Sequence, residues 1–218
     1  MGKKLPNIII TGVPCVGKTT LCEELVEIIN NELEKRKQEQ KKRQGQEHVQ
    51  EYCQEHCQEH CQEQTIKNEN NSMKYLNLSK IIKEERLYEE YDDELDASVY
   101  SEELLSDKLQ KLQLNNGGFI IDFHSVTFIE DINLINRIFL LTADTNILYE
   151  RSEKRNYSKE KITNNIESEI FKVIQEDILE HFGESSIYEE LQNNNIQQYE
   201  QNLNLIKNWV LNYVQNQE

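Results

Sequence analysis

The sequence predicts an α/β fold in which a parallel β-sheet is flanked by helices. Three observations predict it. Short apolar runs alternate along the chain with segments of helical periodicity. The first run, residues 5–11 (Leu-Pro-Asn-Ile-Ile-Ile-Thr), stops at a glycine, as a strand buried on both faces does. Gly12-Val-Pro-Cys-Val-Gly17-Lys18-Thr19 then leads from that strand into a helix. Strand, glycine loop and helix in this order define a P-loop NTPase fold, read as one domain over residues 1–218.

The elements follow in order. Leu21, Leu25, Ile28 and Ile29 recur at helical spacing, so a helix runs from Lys18 to about Leu33. From about residue 34 to 72 Gln, Glu, Lys and Arg dominate, and a tetrapeptide recurs from Gln46 to Thr65. A polar period of four cannot bury a helix face, so this stretch is a low-complexity insertion, either disordered or a solvated helical extension. Lys74 to Leu78 reads as a short strand, and residues 79–88 and 101–114 as helices with an acidic stretch between them. Asn115-Asn116-Gly117-Gly118 is a turn before the apolar strand Phe119–Phe123. Arg137–Leu141 is a further strand, residues 145–154 and 163–182 read as helices, and 187–191 as a last strand. Leu203, Ile206, Val210 and Val214 give the C-terminal helix, about 199–214, one apolar face.

Composition excludes some functions. The net charge of −16 repels phosphate backbones, so non-specific nucleic-acid binding is not expected, whereas a basic protein partner is. The acidity lies in the body, because residues 34–72 hold 7 basic and 8 acidic residues and nearly balance. No apolar run is long enough for a transmembrane helix, and the polar, basic start does not read as a signal peptide. The five cysteines form no disulfide framework and point to a reducing compartment.

The loop carries the chemistry. Its glycines permit a tight turn, and successive N–H groups at a helix N-terminus stabilise phosphate charge. Lys18 is placed to reach the β- and γ-phosphates of ATP, and the Thr19 hydroxyl to ligate Mg²⁺. Asp122 ends an apolar strand, where a carboxylate can hold a water of that Mg²⁺. His124, two residues on, is either structural or catalytic by spacing alone. Arg151 and Arg155 lie four apart on one predicted helix face, either clamping a transferring phosphoryl group or pairing with Glu150 and Glu153.

These residues together resemble the adenylate kinase isoenzyme 6 family. The resemblance rests on Pro6-Asn7-Ile-Ile-Ile-Thr-Gly12, the phosphate loop, Lys83-Glu-Glu-Arg-Leu-Tyr88-x-x-Tyr91-Asp92, Ile121-Asp122-Phe123-His124, and Asp144-Thr-Asn-Ile-Leu-Tyr149-Glu-Arg151-x-x-x-Arg155-x-Tyr157. It covers nearly the whole chain outside the insertion. It implies a nucleoside monophosphate kinase-like fold with a monophosphate-binding region at about 77–100 and a short lid at about 154–164. The implied activity is transfer of the γ-phosphoryl of ATP to AMP, with ATPase activity and a role in small ribosomal subunit (18S rRNA) maturation. The alternative is mainly an assembly ATPase that binds and releases a basic small-subunit ribosomal protein. The resemblance also implies a monomer of nucleus and cytoplasm. Lys18, Asp122, His124, Arg151 and Arg155 become the catalytic set; Cys15, Gly17, Lys18, Thr19, Thr20 and Arg155 bind nucleotide; Thr19 and Asp122 hold Mg²⁺. Three residues depart from the family pattern: Cys15 and Ser125 stand where glycine is usual, and Lys83 where arginine is usual.

Two readings concern the insertion. Lys35-Arg36-Lys37 with Lys41-Lys42-Arg43 is either a nuclear import signal or, as preferred, a solvated helix end. His56, Cys57, His60 and Cys61 supply zinc-ligand chemistry, but their Gln and Glu neighbours offer no supporting shell, so a dispensable polar insertion is favoured.

Overall fold

The computed structural model describes residues 4–51, 72–92, 97–183 and 187–216. The expected parallel sheet is present, with five strands in the order β2-β5-β1-β6-β7: β1 (Ile8–Thr11), β2 (Lys74–Asn77), β5 (Phe119–Asp122), β6 (Arg137–Thr142) and β7 (Tyr188–Gln192). Each pairing in it is parallel. β1 is central and every residue of it is buried, which is why it reads as an unbroken apolar run. β1 lies between β5 and β6, so the chain winds outward from it in both directions. That switch point opens a crevice at the carboxyl ends of β1 and β5.

The first helix, α1 (Lys18–Glu51), is longer than its apolar pattern predicts. Leu21, Cys22, Leu25, Ile29 and Leu33 are buried, and residues 34–42 are exposed or half-buried. Over residues 34–42 the helix is therefore a solvated extension, one of the two forms expected for the start of the insertion. Arg36 pairs there with Glu32 one turn back, at 3.7 Å. Residues 52–71, with His56, Cys57, His60 and Cys61, lie outside the described residues. The Asn30 amide grips both backbone groups of Met73, at 2.7 and 2.9 Å, and fixes the return of the chain beside α1.

Two segments differ from the sequence reading. α2 (Leu78–Glu85) stops earlier than residue 88, capped by Arg86 at φ 56°. An antiparallel hairpin follows, β3 (Tyr88–Asp92) with β4 (Ala97–Tyr100), before α3 (Glu102–Leu112). A two-stranded ribbon outside the main sheet has little apolar surface to bury, so no apolar run announced it. The single helix expected over 163–182 is two: α5 (Lys159–Ile170) and α6 (Val173–Phe182), separated at Lys172, where φ is 54°. Its apolar residues step by four, and each such step overshoots the ~3.6-residue turn by about 40°. A straight helix would carry Ile174, Ile178 and Phe182 away from the core, and the break returns all three to it. α4 (Thr145–Lys154) and α7 (Ile196–Gln215) lie where expected, and α7 buries Leu203, Ile206 and Val210.

Candidate active site

The crevice at the switch point is a cleft of about 670 Å³, within the range of small-molecule sites. The phosphate loop forms its floor. Gly12 has φ 140°, and a Cβ there would stand 2.3 Å from the Leu141 carbonyl oxygen, so only glycine fits between loop and β6. Cys15 holds φ 69°, the left-handed conformation that suits the glycine usual there. Its thiol is buried all the same, so this chain places a side chain inside a strained turn. Ser125, the other replacement of glycine, has no positive φ and carries no such strain. Its hydroxyl instead lies 3.0 Å from that of Thr127, which lies 3.2 Å from the Tyr100 hydroxyl on β4. The chain after β5 and the hairpin are joined by these three hydroxyls.

Lys18 begins α1, and its ammonium donates to the carbonyls of Gly12 at 2.7 Å and Val13 at 3.1 Å, folded over the loop it serves. Burial lowers its pKa and Asp122 opposes that shift. Asp122 is 3% exposed at the end of β5. One of its oxygens, Oδ2, accepts from Thr19 Oγ1 at 2.7 Å, the Tyr75 hydroxyl at 3.0 Å and Asn77 Nδ2 at 3.2 Å. The structure therefore brings Thr19 and Asp122 together across 103 residues. Hard oxygen donors set this way suit Mg²⁺. Burial, then the Asp122 charge, pushes the Tyr75 hydroxyl pKa well up. Asn77 serves two elements, since its Oδ1 caps α2 at Lys80 N, 2.9 Å away.

His124 also lines the cleft, its ring 4.3 Å from that of Phe123. Its outer face is open, but enclosure by the cleft walls and then Lys18 lower its pKa to about 4. It is neutral at pH 7, suited to hydrogen bonding rather than to charge.

The two arginines of α4 part company. Arg155 lines the cleft together with Tyr157 and Cys15. Arg151 turns its guanidinium onto backbone: Nη2 donates to the carbonyls of Asn193 (2.8 Å) and Asn194 (3.1 Å), and Nη1 reaches those of Cys15 and Val16 at 3.4 Å. It ties the phosphate loop to the turn after β7 and does not line the cleft beside Arg155. Asn193 completes the tie through Nδ2 to the Val16 carbonyl, 2.7 Å away. Residues 154–164 comprise the end of α4, a tight turn with Asn156 at φ 57°, and the start of α5, whose Ser158 caps Lys161 N. Lys83, Tyr100, Thr20 and Gly17 also line the cleft.

Sequence reasoning did not single out Tyr75, Asn77, Asn193 or the α5 residues that face the cleft. Asn77 ends one short strand and Asn193 follows another, and strand ends at this edge are the available signal. Tyr75 and α5 carry no local signal. Among the described residues no helix is long and apolar enough to cross a membrane, and no group of three His, Cys, Asp or Glu is set to hold a metal ion.

A family model described as AAA domain matches residues 8–172. A Plasmodium falciparum protein named adenylate kinase isoenzyme 6 homolog is 55% identical over 98% of this chain and 100% of its own length. Homologs of the same name from Schizosaccharomyces pombe and Drosophila melanogaster are 30% and 28% identical, over 98% and 94% of this chain and 97% and 91% of their own. Among solved structures, shikimate kinase from Bacteroides thetaiotaomicron superposes with a TM-score of 0.50 at 13% identity, covering 94% of this chain and 98% of its own, a likeness of fold alone. With the Plasmodium relative aligned from end to end and the phosphate loop, Asp122 and Arg155 gathered at one cleft, the chain belongs to the adenylate kinase isoenzyme 6 family.

Proposed function

We propose that the protein transfers the γ-phosphoryl of ATP to a nucleoside monophosphate, AMP by preference, within the cleft above the phosphate loop. One observation carries the reading. A single cleft is lined both by the loop and by Asn77, Lys83 and Tyr100 of the α2–β4 region. A hydrolase needs a place for one nucleotide, whereas this cleft of about 670 Å³ also takes polar residues from a second region of the chain. In the reaction a phosphate oxygen of the acceptor forms the new bond to the γ-phosphorus while the bond to the β–γ bridging oxygen breaks and ADP leaves. Lys18 leaves the Gly12 and Val13 carbonyls for the β- and γ-phosphates, and Arg155 balances charge at the lid, residues 154–164. Thr19 and Asp122 would hold Mg²⁺, which would supply charge neutralisation to the phosphates when bound. Neutral His124 hydrogen-bonds near the acceptor, and Arg151 acts through the loop it anchors. Lid closure over 154–164 would exclude the water that otherwise makes the protein an ATPase.

Initial rates with ATP plus each monophosphate, against ATP alone, test the reading. AMP-dependent ADP formation is expected. ATP hydrolysis that no monophosphate alters would overturn it in favour of an assembly ATPase. That second reading, with a basic small-subunit ribosomal protein as partner in rRNA maturation, draws on the net charge of −16, carried almost wholly outside residues 34–72. Nuclear and cytoplasmic residence goes with it.

A further inference from the structure

The cleft is cationic in an acidic protein. Lys18, Lys83, Arg155 and Lys161 line it against the carboxylates Asp122 and Asp177. The sign is reversed locally, as a polyanionic substrate requires. α5 supplies the wall that the phosphate loop does not. Lys161, Asn165 and Ser168 stand at i, i+4 and i+7, so they share one helix face, and all three line the cleft. Ser168 also borders the neighbouring cavity together with Val13 of the phosphate loop, which places this face close to the loop.

Asn165 is the anomaly on that face. Its side-chain nitrogen is enclosed and makes no hydrogen bond to the described protein atoms. A shielded amide donor without an acceptor is rare in folded proteins, because it loses its water and gains nothing in return. The apolar packing of α5 is carried by Ile162, which is buried, and Ile166, which rests against the core. A donor held by no bond can turn towards an incoming acceptor without breaking one. In a cleft lined by four cations the acceptor of matching chemistry is a phosphate oxygen.

We infer that Asn165 is a substrate-contacting residue that donates a hydrogen bond from α5 to a phosphate oxygen in the cleft that Lys18 also lines. The inference rests on the kinase reading for its substrate. The orphaned donor is a destabilising feature that the free protein carries for the sake of that contact. A residue kept for stability would show the opposite pattern, which makes the two roles separable.

The test uses the full chain with Asn165→Ala and Asn165→Asp. The probe is a bisubstrate dinucleoside pentaphosphate, two adenosines joined by five phosphates. Calorimetric affinity for it, the melting temperature without ligand, and kcat with KM for ATP and AMP are measured. Asn165→Ala should bind the pentaphosphate at least about tenfold more weakly and lose kcat about as much, the scale of one aimed donor. Its ligand-free melting temperature should equal or exceed that of the wild type, because an unsatisfied donor has been removed. Asn165→Asp keeps the shape but presents only acceptors, and should lose more than alanine. Pentaphosphate affinity of Asn165→Ala within threefold of wild type overturns the inference. So does a weaker affinity accompanied by a lower ligand-free melting temperature, which would mark a structural role. Wild-type turnover reports separately on the kinase reading, and the affinity ratio is measurable whether or not turnover occurs.

Discussion

Replacing Asp122 by asparagine separates the two things this side chain does. In the protein its Oδ2 is the common acceptor for Thr19, Tyr75 and Asn77, and its charge supports Lys18. An asparagine side chain would keep an oxygen in the same place, so all three donors keep an acceptor. Each bond changes from charge-assisted to neutral, a loss of about 1 kcal/mol apiece. Against that, a carboxylate 3% exposed need no longer be buried, which offsets the loss by several kcal/mol on the same order. The balance for Asp122→Asn is within about 2 kcal/mol of zero, a melting shift of no more than about 8 °C. Asp122→Ala strands three donors and should cost about 2–4 kcal/mol. Phosphotransfer behaves differently. The asparagine amide cannot supply the negative charge that holds Mg²⁺ or its water, so kcat should fall by about 10²- to 10³-fold. Lys18 also loses the Asp122 charge that raises its pKa while burial continues to lower it. The alkaline limb of the pH–rate profile should therefore move to lower pH. Circular-dichroism melts and initial rates of ADP formation across pH and Mg²⁺ concentration measure all three. A folded Asp122→Asn protein turning over within about fivefold of wild type would refute the metal-site reasoning.

Other perturbations follow from the same geometry. Arg155→Lys should lose at least about tenfold in kcat with an unchanged melting temperature, because lysine keeps the charge but not the fork. Arg151→Lys should instead lower the melting temperature, by an amount equivalent to about 2 kcal/mol, since it breaks contacts to four backbone carbonyls; equal melting temperatures for the two variants would contradict their separate placement. Deleting residues 38–70 should leave ADP-forming rates within about twofold of wild type. Asn30 grips Met73, helix α1 rises roughly 10 Å from residue 30 to 37, and residues 71–72 can span about that distance; a folded but inactive deletion would show that the insertion serves the site. For His124, both folded and unfolded chains are neutral above its ordinary value of 6.5, and below it only the unfolded chain takes up the proton until about pH 4. Stability should therefore fall as pH drops through that window, and urea melts of His124→Gln should show a shallower fall between pH 7 and 5.

Much of this protein is legible locally. The phosphate loop is a contiguous string whose glycines and backbone carry its chemistry, so its residues announce themselves. The inner strands of the sheet are visible because strands buried on both faces must be apolar, as Ile8–Thr11 and Phe119–Asp122 are. The hairpin of β3 and β4 escapes such a reading because a ribbon outside the main sheet leaves no such run. The break at Lys172 escapes it because the break answers a drift in the direction of burial, which exists only once there is a core to face. The order of residues alone specifies the fold class, the loop and the identity of the strand-end carboxylate. What surrounds them is set by tertiary packing. Two arginines one turn apart go to different tasks, four backbone carbonyls for Arg151 and an open cleft for Arg155. Tyr75 and Asn77 meet Thr19 on a single oxygen of Asp122. The cause is the same in each case: backbone-borne chemistry is written in consecutive residues, whereas the partner of a side chain is set by which distant segments the packed sheet brings within about 3 Å of it.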